Sequence, residues 1–113
     1  MKIADFIQDV NLHDSLLEEC IYNLDSKELC FEINFCYWAQ KNYKNGDIEN
    51  GIVNIRFFDV YEFERDDYVI HSDSIISIKY SKTGKVELTV LTDESRTHVF
   101  SFIASSVEFC DSL

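Results

Sequence analysis

The chain contains no proline, and only three glycines in 113 residues. A Pro- or Gly-rich linker is therefore excluded, and with it the simplest way of dividing the sequence into two domains. Long apolar runs are missing too. The longest is about five residues, Phe35-Cys36-Tyr37-Trp38-Ala39, far below the ~20 that a membrane helix requires. The N-terminal stretch MKIADFIQDV is interrupted by Asp5 and Asp9, which breaks the apolar region that a signal peptide needs. Positive charge is scarce: ten Lys and Arg stand against 21 Asp and Glu, a net charge of −11. A field of that sign repels nucleic acid and anionic membrane and speeds encounter with basic proteins. These absences point to a cytoplasmic protein with no nucleic-acid partner and no membrane partner.

What is present is the composition of a folded chain. Hydrophobic residues make up 46% and charged residues 27%, which allows one core in one domain spanning residues 1–113. Nine Phe, six Tyr and one Trp favour strands over helices. Ile3, Phe6, Ile7 and Val10 form an i, i+3, i+4, i+7 stripe, which predicts a short amphipathic helix over residues 2–10. Helices of this length persist only when docked.

From there on the period is two. Leu29, Phe31, Ile33, Phe35 and Tyr37 alternate with Cys30, Glu32, Asn34, Cys36 and Trp38, which predicts a strand over 27–38. A strand over 15–24 precedes it, and a third over 52–63 follows, with a break near Asp59. Asn45-Gly46-Asp47 marks the intervening 39–50 segment as a polar loop. Around the loop Lys82-Thr83-Gly84 the pattern pairs Tyr80 with Val86, Ile78 with Leu88 and Ile76 with Val90. A strand over about 97–103 and a short edge strand in SSVEFCDSL complete the expectation. The predicted fold is α+β and mainly antiparallel β: a short N-terminal helix on a curled six- to seven-stranded sheet or small sandwich.

Two stretches look alike. NLHDSLLEEC at 11–20 is echoed by VIHSDSIISI at 69–78, aligning Asp14-Ser15-Leu16-Leu17 with Asp73-Ser74-Ile75-Ile76. The same offset sets Leu29 against Leu88 and Phe31 against Val90. Two ββ(β) repeats, 12–63 and 70–109, explain these matches; so does convergent strand alternation.

His13, Asp14 and Ser15 are the residue types of a hydrolase triad. Adjacent residues entering a strand point to opposite faces and cannot converge as a triad must. No Gly-x-Ser-x-Gly elbow is present. Asp14/Ser15 and Asp73/Ser74 are better read as side chains that bond local backbone where the chain turns into a strand. His13, His71 and His98 lack the close pairing of a metal site, and no phosphate-cradling loop or dinucleotide fingerprint occurs. Paired acids such as Glu18/Glu19 and Asp66/Asp67 point apart along a strand, so they do not face each other as glycosidase carboxylates do. Cys20, Cys30, Cys36 and Cys110 match no zinc or redox spacing. Cys30 and Cys36 sit roughly 20 Å apart along one strand at ~3.3 Å per residue, too far to bond. The expectation is free, largely buried thiols and no catalytic set, cofactor or metal.

The acids are clustered. Asp59, Glu62, Glu64, Asp66 and Asp67 put five carboxylates into nine residues, and Glu18, Glu19 and Asp73 add to them. Like charges this close repel and cost stability unless a cation or basic partner uses them. Tyr61, Tyr68 and Trp38 supply aromatic anchors. All of these side chains except Asp73, ten in number, are the candidate partner-binding residues.

The segment LHDSLLEECIYNLDSKELCFEINF, followed by a Phe-rich strand, resembles a group of small bacterial β-domains that open with a Leu/Phe-His-Asp-Ser motif and run into a hairpin. Some members of that class are immunity proteins of toxin systems. The resemblance implies no catalytic residues. It implies an immunity-type protein that covers the active site of a basic toxin, such as a nuclease. The alternative is a housekeeping β-domain that forms a homodimer through a sheet edge or binds a small ligand.

Overall fold

The computed structural model describes residues 1–111, and of Asp111 only the backbone. Its first element is helix α1 (Ile3–Asp9). The apolar stripe does what its spacing dictates: Ile3 and Phe6 are buried, and the Phe6 ring meets the edge of Phe57 at 6.4 Å.

Eight strands follow: β1 (Leu16–Asn23), β2 (Glu28–Cys36), β3 (Asn50–Phe58), β4 (Tyr61–Arg65), β5 (Asp73–Tyr80), β6 (Lys85–Leu91), β7 (Thr97–Ile103) and β8 (Ser106–Asp111). All are antiparallel to their neighbours, in the order β4-β7-β6-β5-β1-β2-β3-β8. The fold is therefore mainly antiparallel β with one short helix. The count is eight strands, not six or seven, because the 52–63 segment is two strands broken at Asp59 and Val60. They form a single hydrogen-bonded sheet.

Hairpin chemistry sets much of the register. Between β5 and β6, Ser81 N–H donates to the Lys85 carbonyl at 2.9 Å and Gly84 sits at φ +86°, the left-handed residue such a three-residue loop requires. Tyr80 pairs with Val86 and Ile78 with Leu88 as the alternation predicts. Val90 faces Ile75 rather than Ile76, because a bulge at Ile76 interrupts the ladder. A period-two pattern cannot show an inserted residue of this kind.

The sheet divides into two meanders, β1-β2-β3 and β5-β6-β7, joined through only two ladder pairs, Leu16–Ser74 and Leu17–Asp73. Each meander receives the fourth strand of the other: β4 pairs with β7, and β8 with β3. The two crossings lie side by side, with Ser105 N–H donating to the Phe58 carbonyl at 3.0 Å. These exchanges hold the two halves face to face. Phe31 on β2 and Phe100 on β7 are four strand positions apart, roughly 19 Å in a flat sheet. Their ring centroids are nevertheless 5.7 Å apart, so the sheet bends at the β1/β5 seam. Phe31 also meets Phe102 at 6.0 Å, and Phe102 meets Phe57 at 4.7 Å. Edge-on and tilted rings of this kind add to the burial energy of the core.

Phe31 thus touches both halves at once, meeting Phe57 on β3 as well as Phe100 and Phe102 on β7. Phe31→Ala is expected to lower the unfolding free energy by about 3–5 kcal/mol, from lost transfer energy and the cavity left behind. Urea denaturation measures it, and a loss below about 1 kcal/mol would contradict this packing.

Candidate functional site

The triad look-alike resolves into architecture. Asn11 Oδ1 accepts the His13 N–H at 3.0 Å, and Asp14 adopts φ +70°, a conformation short polar side chains tolerate. Ser15 then turns inward. It is fully buried, and its Oγ accepts the Cys36 N–H at 3.0 Å. His13 and Asp14 touch each other at 3.2 Å on the surface, facing away from the buried serine. The serine hydroxyl serves as a strand-end cap.

The β1/β5 ladder fixes how the second meander matches the first. Leu16 faces Ser74 in an antiparallel pair, so the local two-fold axis passes through that pair. It relates Leu17 to Ile75, Ser15 to Asp73, Asp14 to Ser72 and His13 to His71. Other observations agree with this alignment. Asp14 and Ser72 both have positive φ, and the bulges at Glu18 and Ile76 correspond. The match is therefore one residue out of step with the Asp14/Asp73 alignment that residue identity suggests. Asp73 stands where Ser15 stands, not where Asp14 does.

That substitution opens a site. Strand β2 runs on to Cys36 and satisfies Ser15, whereas β6 stops at Leu91 and turns away through Thr92–Arg96. Asp73 is 3% exposed, yet its carboxylate accepts one long hydrogen bond, from the His71 N–H at 3.4 Å. Where the strand is missing there is a cleft of about 350 Å³, lined among others by Tyr68, His71, Asp73, Arg96 and His98. The Tyr68 ring stacks on His98 with centroids 3.9 Å apart, and the Arg65 guanidinium lies over the Tyr68 ring at 5.3 Å while bonding the Tyr68 carbonyl at 2.8 Å. The Tyr68 hydroxyl oxygen is buried without a hydrogen-bond partner. Burial, and then the nearby Asp73 carboxylate, push the phenol well above its ordinary range, so it stays protonated at neutral pH.

The ten partner-binding candidates do not all gather here. Asp66 and Asp67 adjoin the cleft with Tyr68. Asp66 accepts the Val99 N–H at 3.1 Å and contacts His98 Nδ1 at 3.3 Å. Glu18 comes in from the other meander, its Oε2 bonded to the Ser72 hydroxyl at 2.9 Å, with Oε1 buried and unpartnered. Glu62 and Glu64 lie exposed on edge strand β4. Asp59 and Tyr61 occupy its far end, where Asp59 bonds the Ser105 hydroxyl at 2.6 Å. Glu19 lies on the outward face of β1, directly opposite Glu32. Trp38 is 49% exposed on a 3-10 turn, Tyr37–Ala39, and its backbone bonds the 37–49 loop rather than β4. Asp73, His71, His98 and the β6–β7 turn were not among the sequence candidates. The exchange of Ser for Asp between the two similar stretches was the available signal, obscured by the one-residue misalignment.

Among the described residues no three His, Cys, Asp or Glu side chains gather closely enough to hold a metal ion, and no helix is long and apolar enough to cross a membrane. No Lys or Arg pairs with a carboxylate among the described residues; the two ion pairs are His13–Asp14 and His98–Asp66. No protein-family model matches the chain, nor does any curated protein or solved structure.

Cys20 lies behind the cleft, near Arg65 and Tyr68. Burial pushes its thiol up to about 11, against a smaller opposing pull from the Arg65 guanidinium. A raised folded-state value means the protonated thiol stabilises the fold fully below its ordinary 9.0, and that contribution is lost as pH rises toward the folded value. The stability advantage of the native chain over Cys20→Ala should therefore shrink between pH 9 and 11. Thermal unfolding of both proteins across that window checks it, and a constant difference would contradict the burial argument.

Proposed function

We propose that the protein is an acidic binding module for a basic protein, acting as an immunity protein that neutralises a bacterial toxin, a nuclease in the first instance. One observation carries this reading: among the described residues no carboxylate lies within ion-pairing distance of a Lys or Arg. Glu62, Glu64 and Asp67 are exposed and unpaired, Glu19 faces Glu32 across the β1/β2 ladder, and directly opposed like charges are destabilising. A stability cost of this kind is understandable where an opposite charge arrives from outside. The resemblance of the His13-Asp14-Ser15 hairpin to immunity-type β-domains supports the same class. A cytosolic setting belongs to the proposal, since the four cysteines are free and such thiols persist in reducing compartments.

The homodimer alternative draws less support from the sheet edges. Strand β4 has only five residues and carries a bulge and two exposed acids, features that deter edge pairing. On β8 the outward Val107 N–H is already taken by the Met1 carbonyl at 3.0 Å.

The test is co-purification from the native host, with the salt dependence of the complex measured. A basic protein is expected to be retained, its affinity falling steeply as salt screens the field. The double variant Glu62→Gln/Glu64→Gln should slow association about tenfold or more. Binding that ignores both salt and these substitutions would overturn the reading.

A further inference from the structure

At the cleft beside the β1/β5 seam the two meanders differ in kind. In the first, a neutral hydroxyl meets a strand N–H, and the position is closed. In the second, a carboxylate replaces the hydroxyl, the strand ends short, and the space stays open. Asp73 is as buried as a core residue, and among the described residues no Lys or Arg pairs with it. An isolated buried charge is costly unless it is paired. The Tyr68 hydroxyl, also buried, lies beside the Asp73 carboxylate. Outside them Asp67, Asp93 and Glu94 line the rim, so a cation approaching the cleft is drawn inward.

We propose that this cleft takes a guanidinium group, the side chain of an arginine on the basic partner. The inference rests on the binding reading above and assigns it an anchor point. The chemistry of the acceptors selects the group. A guanidinium presents five N–H donors in one plane, and the cleft offers the buried Asp73 carboxylate together with the Asp67, Asp93 and Glu94 carboxylates around it. An ammonium has three donors around a point and lacks the planar fork that engages a carboxylate through two parallel hydrogen bonds. Arg96 stands at the rim, exposed and outside ion-pairing distance of every carboxylate among the described residues, and leaves the inner acceptors free. Tyr68 is held in place by the Arg65 guanidinium on its ring and His98 stacked against it.

The full chain would be titrated with N-acetyl-arginine-methylamide, followed by NMR, with the citrulline and lysine analogues as comparators. Saturable shifts confined to Tyr68, His71, Asp73 and His98 are expected for the arginine probe, at least about tenfold weaker for the others. Asp73→Asn should abolish them, and Tyr68→Phe, which keeps the ring stack, should weaken them. Glu62→Gln/Glu64→Gln should leave them intact while impairing capture of the basic protein, so the two claims fail separately. Equal binding of arginine and citrulline probes, equal binding of the lysine probe, or undiminished binding to Asp73→Asn would each overturn the proposal. Loss of binding in Arg96→Ala would overturn it too, since that marks an anion site. A basic partner that binds Asp73→Asn as tightly as the native chain overturns the assignment of the cleft to that partner.

Discussion

Two ladder pairs, Leu16–Ser74 and Leu17–Asp73, carry the continuity of an eight-stranded sheet. So short a seam is what lets the sheet bend and close its apolar face on itself. Bulges at Glu18 and Ile76 end regular pairing on either side of it, adding local twist where the two layers must diverge. The seam does not hold the layers together by itself. Strands β4 and β8 cross to the opposite meander, and the Phe31, Phe57, Phe100 and Phe102 rings fill the space between. With one seven-residue helix and no disulfide among its four cysteines, the chain relies on that aromatic contact for its core.

The seam also sets the conditions for function. A two-fold axis through Leu16 and Ser74 puts Ser15 and Asp73 at equivalent ladder positions, and their side chains and the strands beside them differ. The hydroxyl is absorbed into the fold by the Cys36 N–H. The carboxylate faces a cleft walled by the Tyr68–His98 stack. The surrounding surface follows the same tendency, with Glu62 and Glu64 on β4 and Asp67 kept unpaired and Glu19 set against Glu32. Such a surface is costly to maintain alone and favourable when a cationic partner is present.

Much of this was legible in the sequence because it is local. The helix stripe of Ile3, Phe6 and Ile7, the alternation of β2, the Gly84 loop and the break at Asp59 all follow from spacing and turn chemistry. Three features depend on contacts between distant segments and were hidden. The bulge at Ile76 moves Val90 onto Ile75 without any change in composition. The passage of β4 to the other meander makes eight strands in one sheet from what reads as two hairpin units. The cleft arises from the early end of β6, which matters only once β5 lies beside it. The acid run read as one patch, yet Asp59 and Asp66 sit at opposite ends of β4 and each is partly occupied within the fold. The His-Asp-Ser triad failed for a reason visible from the start, since neighbours on a strand diverge.

If Asp73 is a binding group held in place at the expense of the fold, removing its charge should relieve the molecule. Urea unfolding of Asp73→Asn at neutral pH and low salt is the most direct test, because the amide oxygen still accepts the His71 N–H while the unpaired charge is gone. The account predicts stability equal to or above that of the native chain, by up to a few kcal/mol given the cost of a buried unpaired charge. A loss of more than about 1 kcal/mol, the ordinary contribution of a structural hydrogen bond, would mean that Asp73 is a cap like Ser15 and that the cleft is incidental.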